Sequence, residues 1–173
     1  ITADVAHGED WTYWRGDCVE VMRDWPESSV DLSVYSPPFI ALYTYTNTER
    51  DLGNAATKEE FFEHFGYVVA ELLRVTKPGR LTCCHLSQVP AMQVRDGYIG
   101  MKDMRGPTVV LFERLGWIYQ GEAVIDKDPQ AQAIRVRAKG LAFQQLHKDS
   151  SWMRPALADY ILVFRKPGDN AVP

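Results

Sequence analysis

Apolar residues recur along this chain with two different periods. Val30, Leu32 and Val34 alternate with Asp31 and Ser33, and Tyr35 suits a pleated surface, so the pattern predicts a strand over 30–35. Further on, Phe61, Phe62, Phe65, Val68, Val69, Leu72 and Leu73 return every three or four residues. That is the spacing of a helix with one buried face. Thr57 and Glu60 ahead of the stripe form a capping box, each side chain satisfying a backbone donor of the other's turn. Lys77-Pro78-Gly79 predicts a tight connection, followed by a parallel strand over Arg80–Leu86. Thr108–Leu115 reads as a short amphipathic helix closed by Gly116, and Ile118–Ile125 as a strand. Tyr160–Phe164 is a near-continuous apolar run, predicting a buried strand that Lys166-Pro167-Gly168-Asp169 ends. Near the start, Trp11–Arg15 predicts a short strand, and Val21, Met22 and Trp25 a helix stopped by Pro26. Residues 1–10 are expected to fray, and 87–107 and 126–157 to be irregular. His64 falls off the apolar stripe and is expected to face solvent.

Composition narrows the class. A chain of 173 residues fits one domain with a real core, and 46% hydrophobic and 24% charged residues are ordinary for a globular protein. A net charge of −4 argues against a generally basic nucleic-acid coat, so any such contact must be local. No apolar run spans a membrane and no signal peptide is visible. Cys18, Cys83 and Cys84 are an odd set without C-x-x-C spacing, which argues against a disulfide framework and a zinc site. The default setting is reducing and cytoplasmic. The first residue is Ile1 rather than Met, so upstream residues are expected to have been lost or left out.

The chemistry lies where the first long strand stops. Pro37 and Pro38 end the ladder because neither donates a backbone hydrogen bond. The result is a stiff corner at a strand's carboxyl end, where ligands sit in open α/β sheets. Ser36 enters the corner and Phe39 leaves it. An exocyclic nucleobase amine is a poor nucleophile, because its lone pair is conjugated into the ring. Acceptors such as the Ser36 hydroxyl and the rigidly held Pro37 carbonyl can take its hydrogens and turn the nitrogen toward tetrahedral geometry. Phe39 can stack on a base flipped out of a duplex. In-line attack on a sulfonium methyl would then gain most from positioning.

Ser36-Pro37-Pro38-Phe39 resembles the catalytic tetrad of DNA amino-methyltransferases, in which Asp or Ser precedes Pro-Pro and then Tyr or Phe. Gly16-Asp17-Cys18 with Val19, Val21, Met22 and Trp25 is similar to the opening of the β-class of that family, as are Ser29-Val30-Asp31-Leu32, Arg50-Asp51-Leu52-Gly53, Lys77-Pro78-Gly79 and Asp159–Lys166. The resemblance runs over nearly the whole chain. It implies an α/β, Rossmann-like S-adenosylmethionine-dependent methyltransferase fold, with a mostly parallel sheet and flanking helices, incomplete here. It implies Ser36, Pro37, Pro38 and Phe39 as catalytic residues. Asp17, Cys18 and Ser36 would contact S-adenosyl-L-methionine, with Asp17 near the adenosine, although Asp17 also suits a helix N-cap. No metal is implied. The substrate would be double-stranded DNA with the target base flipped, modified at adenine N6 or cytosine N4. Cytosine C5 is disfavoured, since no cysteine follows the Pro-Pro corner.

Two regions bear on the partner. Tyr43 and Tyr45 follow the corner and suit either base stacking or lid packing. Between 126 and 157, Lys127, Arg135, Arg137, Lys139, Lys148 and Arg154 outnumber three aspartates, with Phe143, His147 and Trp152 interleaved. Arg135, Arg137, Lys139 and Lys148 are expected DNA contacts, because phosphate neutralisation drives such binding. No G-x-G occurs, although the family's glycine-rich donor turn does contain one. In β-class members that turn lies beyond the last strand read here. The chain therefore reads as a single catalytic domain over 1–173, lacking that motif and most of the target-recognition region. A homodimer, or association with a missing C-terminal part, would cover its open sheet edge. The other reading is an inactive truncated relative serving as a DNA- or protein-binding module.

Overall fold

The computed structural model describes residues 4–40, 45–91, 93–135 and 156–172. Alternation along the strands sorts the sheet into two unlike faces. Four strands lie in the order β3-β4-β8-β7: β3 (Val30–Tyr35), β4 (Thr76–Ser87), β8 (Ala158–Arg165) and β7 (Ile118–Asp126). β3 pairs parallel to β4, while β8 runs antiparallel to both β4 and β7. Three strands thus share one direction and β8 opposes them, so the sheet is mixed. The α/β expectation holds.

One face is the core. Helix α2 (Lys58–Val75) buries Phe61, Phe65, Val69, Leu72 and Val75, the stripe expected from the sequence. These pack with Cys84, Leu86, Leu162 and Phe164 of the sheet and with Leu111 and Phe112 of α4 (Arg105–Arg114). Phe112 and Phe164 stack with centroids 3.9 Å apart. Burying each such side chain stabilises the fold by about 1.5–3 kcal/mol. Both helices lie on this face. On the opposite face Leu32 and Val34 are 55% and 68% exposed, and Cys83, Ile161 and Val163 beside them are only partly covered.

The ends of α2 are fixed by named groups. Thr57 Oγ1 accepts from the Glu60 N–H at 3.1 Å, and Glu60 accepts from the Ala56 N–H at 2.8 Å. The capping box therefore forms with its return bond one residue earlier than the simple pattern. At the other end Ser28 and Ser29 donate to the carbonyls of Arg74 and Val75, and Lys166 donates to Thr76 O at 2.7 Å. A cation at a helix carboxyl end also opposes the macrodipole.

Several expectations change. Residues 4–7 do not fray: β1 (Asp4–His7) pairs antiparallel with β2 (Thr12–Arg15), closed by a Gly8 N–H to Trp11 carbonyl bond. Lys77-Pro78-Gly79 is not a separate connection. Helix α2 passes directly into β4, and the irregularity where Val30 faces Thr76 but Leu32 faces Leu81 absorbs these residues. Gly79 takes φ +75° there. The stretch after β4 holds a small hairpin, β5 (Val89–Ala91) with β6 (Gly100–Lys102), and a turn of helix, α3 (Gln93–Asp96). The first part of 126–157 is likewise helical: α5 (Pro129–Arg135) begins where Asp128 accepts from the Ala131 N–H. Short elements of this kind lack the repeats that periodicity needs.

Candidate active site

β3 delivers Ser36 to the carboxyl end of the sheet. Ser36 is exposed, Pro37 is buried, and Pro38 and Phe39 are half-buried, with Ile40 beyond them in the core. Buried proline anchors the corner while the hydroxyl stays open. Phe39 packs partly against the core, so its ring is held rather than free.

The strand beside Ser36 supplies a partner that pattern reading undervalued. His85 of β4 places Nδ1 3.2 Å from Ser36 Oγ, and its Nε2 lies 3.3 Å from Asp159 Oδ2 at the start of β8. Asp159 Oδ1 in turn pairs with Lys127 Nζ at 2.5 Å, and Lys127 reaches Ser87 Oγ at 3.4 Å. Register explains the grouping. Ser87 faces Asp159 and His85 faces Ile161 across the antiparallel pair, so side chains far apart in sequence share one corner of one face. Burial pushes the Asp159 carboxyl up, but Lys127, Ser87 and His85 outweigh it and hold it below the usual carboxylate range. Lys127 is therefore committed to an internal pair and is not one of a set of free phosphate contacts. His85 is therefore held between Ser36 and Asp159.

Asp17 caps α1 (Cys18–Arg23): its Oδ1 accepts from the Val19 N–H at 2.9 Å and the Glu20 N–H at 3.4 Å. Its Oδ2 lies 3.4 Å from Arg50 Nη1, which also pairs with Glu20 at 3.0 Å. Cys18 is exposed beside it. Asp17, Cys18, Glu20, Arg50, Leu52, Tyr67 and others line a cavity of about 410 Å³. His64 lines it too and is half-buried, so it does not simply face solvent. None of residues 36–39 lines this cavity.

Arg50 is held by a loop zipped around Asp51, whose carboxylate accepts from the backbone of Tyr45, Thr46 and Gly53 at 3.0, 2.7 and 2.9 Å. Burial raises the Asp51 carboxyl, and these three bonds more than offset it and lower it overall. Tyr45 is exposed. Tyr43, Arg137, Lys139 and Lys148 lie outside the described residues, as do Phe143, His147, Trp152 and Arg154. Arg135 closes α5, but its side chain is also outside the description. Cys84 is fully buried, and burial pushes its thiol up to about 12, while burial also raises Cys83. Neither offers a thiolate nucleophile at neutral pH. Among the described residues no cluster of three or more His, Cys, Asp or Glu is arranged to hold a metal ion, and no helix is long and apolar enough to cross a membrane.

A sheet with β8 turned against its neighbours, helices α2 and α4 on one face and a serine corner at the strand ends shares its fold with solved methyltransferase structures. The solved structures it resembles include a candidate DNA modification methylase from Thermus thermophilus, crystallised with S-adenosyl-L-methionine. That likeness has 24% identity and a TM-score of 0.64, over 91% of this chain and 54% of that one. The cytosine-N4-specific PvuII DNA methyltransferase is similar at 16% identity and a TM-score of 0.58, over 90% of this chain and 50% of that one. The chain spans about half the length of these structures. No family model and no curated relative matches the sequence.

Proposed function

We propose that this chain carries the catalytic corner of an enzyme that moves a methyl group from S-adenosyl-L-methionine to the exocyclic amine of adenine or cytosine in DNA. The observation that carries the proposal is Ser36: an exposed hydroxyl beyond the carboxyl end of β3, anchored by buried Pro37, in a fold shared with DNA methylases. Ser36 and the Pro37 carbonyl accept the amine hydrogens, Pro38 stiffens the corner, and Phe39 bears on the ring of a flipped base. The donor contributes a sulfonium-activated methyl.

The cavity beside Asp17 and Cys18 suits part of that donor in size, since ligand pockets begin near 300 Å³ and this one is about 410 Å³. Both Asp17 oxygens are already engaged, so a contact to adenosine requires Arg50 to swing away from Oδ2. In this reading Tyr43, Tyr45, Arg135, Arg137, Lys139 and Lys148 meet the DNA. Among the described residues β3 is a sheet edge, and in this reading a second copy or a further segment covers it in the working enzyme. Such methylation marks DNA either for protection in a restriction–modification setting or for regulation. The exposed β3 edge also favours a second reading, a binding module without turnover.

Labelled donor and unmodified duplex DNA separate the two. Label in DNA that Ser36→Ala abolishes supports the enzyme, and chromatography of the digested nucleosides tells N6-methyladenine from N4-methylcytosine. Salt-sensitive DNA binding with no label, at any protein concentration, supports the module and refutes the proposed activity.

A further inference from the structure

The proposed reaction leaves one requirement unmet by the corner alone. An amine nitrogen that gains a methyl becomes cationic and must shed a proton. Ser36 is a poor place to leave it, because a hydroxyl is a weak base. The structure supplies a route on the same face of the sheet.

His85 stands between two oxygens. Nε2 faces the Asp159 carboxylate at 3.3 Å, and Nδ1 faces the Ser36 hydroxyl at 3.2 Å. An ionised carboxylate only accepts hydrogen bonds. Asp159 is held ionised by its contact with Lys127, so the ring hydrogen of neutral His85 belongs on Nε2. Nδ1 then carries a lone pair, and the Ser36 hydroxyl donates to it. That bond turns the Ser36 lone pairs outward, toward whatever donor stands beyond the corner. A hydroxyl that donates on one side is a better acceptor on the other.

We propose that His85, fixed in its Nε2–H tautomer by Asp159, is the positioning residue for Ser36 and the terminal proton acceptor of the reaction. The inference rests on the methyltransferase reading for its chemistry, but its geometry stands apart from it. In the step, the nitrogen–carbon bond forms as the donor's sulfur–carbon bond breaks, and the donor leaves as a neutral thioether. The amine's proton passes to Ser36 Oγ while the Ser36 proton passes to His85 Nδ1. The sulfonium's positive charge thus ends on the imidazolium, beside Asp159. The groups against the ring are Asp159 from β8 and Ser36 after β3, and behind Asp159 stands Lys127, just beyond β7, which also reaches Ser87 of the His85 strand. Protonation of the ring turns Nδ1 from acceptor to donor, so acid disarms Ser36.

Two readouts test this on the purified chain. Nitrogen NMR of ¹⁵N-histidine-labelled protein, with His85 identified by the signal lost in His85→Asn, reports the tautomer without any substrate. A bare Nδ1 and protonated Nε2 are expected, with Asp159→Asn weakening that preference. Nδ1–H as the main neutral form overturns the proposal, whatever the activity. In methyl transfer, His85→Ala is expected to lower kcat about a hundredfold, at the lower end for lost proton transfer, with KM for DNA unchanged. His85→Asn keeps an acceptor amide but no base, so it should fold and bind DNA as the wild type does yet lose the acid limb of the pH profile. Unchanged kcat and an intact acid limb in both variants overturn the proposal. If the wild-type chain transfers no methyl at all, the functional reading fails, and the tautomer measurement still decides the geometry.

Discussion

Replacing Lys127 with Met should destabilise the fold in a way that depends on pH. Lys127 and Asp159 are 17% and 18% exposed and 2.5 Å apart. At an effective dielectric near 20 their attraction is about 7 kcal/mol before desolvation. Removing two ions from water takes back several kcal/mol each, so most of that attraction is cancelled. What the substitution leaves is a carboxylate with restricted access to water, still touched by His85. Breaking a fully buried pair costs about 3–5 kcal/mol. With residual exposure on both sides, about 2–3 kcal/mol is expected at pH 7, and methionine preserves most of the packed stem.

The pH dependence fixes the cause. Asp159 is held low in the folded chain, so its contribution is present above the unfolded carboxyl value, near 3.9, and is lost as pH falls through the folded value. In Lys127→Met the folded value rises. The gap between wild type and variant should therefore be widest at neutral pH and narrow toward pH 3, where the variant's carboxyl is already neutral. Urea unfolding followed by circular dichroism at a series of pH values measures it. A loss that is the same at pH 3 and pH 7, or below 0.5 kcal/mol at pH 7 by the precision such data allow (roughly a tenth of the total), refutes the electrostatic account.

Two further substitutions probe the frame that positions the corner. Gly79→Ala combines a positive φ of +75° with a methyl that would meet Asn170 N at 2.6 Å; thermal melts should show a loss of more than about 1 kcal/mol, and a neutral result would mean the turn relaxes freely. Phe112→Ala removes a fully buried ring stacked on Phe164 and should cost about 3–5 kcal/mol in denaturant titrations, a figure that a loss under 1 kcal/mol would contradict.

The long periodic elements were legible because each carries its own signal. Phe61 to Leu72 repeats often enough to define a face, and Val30 to Val34 alternates cleanly. The Pro37-Pro38 corner could be located because proline acts on its own backbone. What escaped is what depends on pairing. Nothing near Asp159 says that its strand runs against β4, so its meeting with His85 could not be derived from order alone. His85 follows two cysteines at a strand end, a setting that suits a structural histidine as well as one that works. Lys127 looked like part of a basic excess because sequence counts charges and cannot see which are already paired. Of the β1–β2 hairpin the alternation at Trp11–Arg15 showed β2, but β1 escaped because a four-residue strand exposed throughout leaves no hydrophobic record.

The uncovered face and the reactive corner belong together. Ser36, His85 and Asp159 lie on the face that α2 and α4 do not cover, continuous with exposed Leu32 and Val34. An edge strand with free backbone groups and apolar side chains invites pairing. Whatever packs against β3 would also wall one side of the Ser36 corner. It would exclude water from the hydroxyl and strengthen the bonds to His85 and Asp159 as the local dielectric falls. In this arrangement the proton route is laid down by β3, β4 and β8, while dryness and donor binding depend on the covering layer. Relay geometry should therefore exist in the chain by itself, and whatever covers β3 should raise turnover rather than create it.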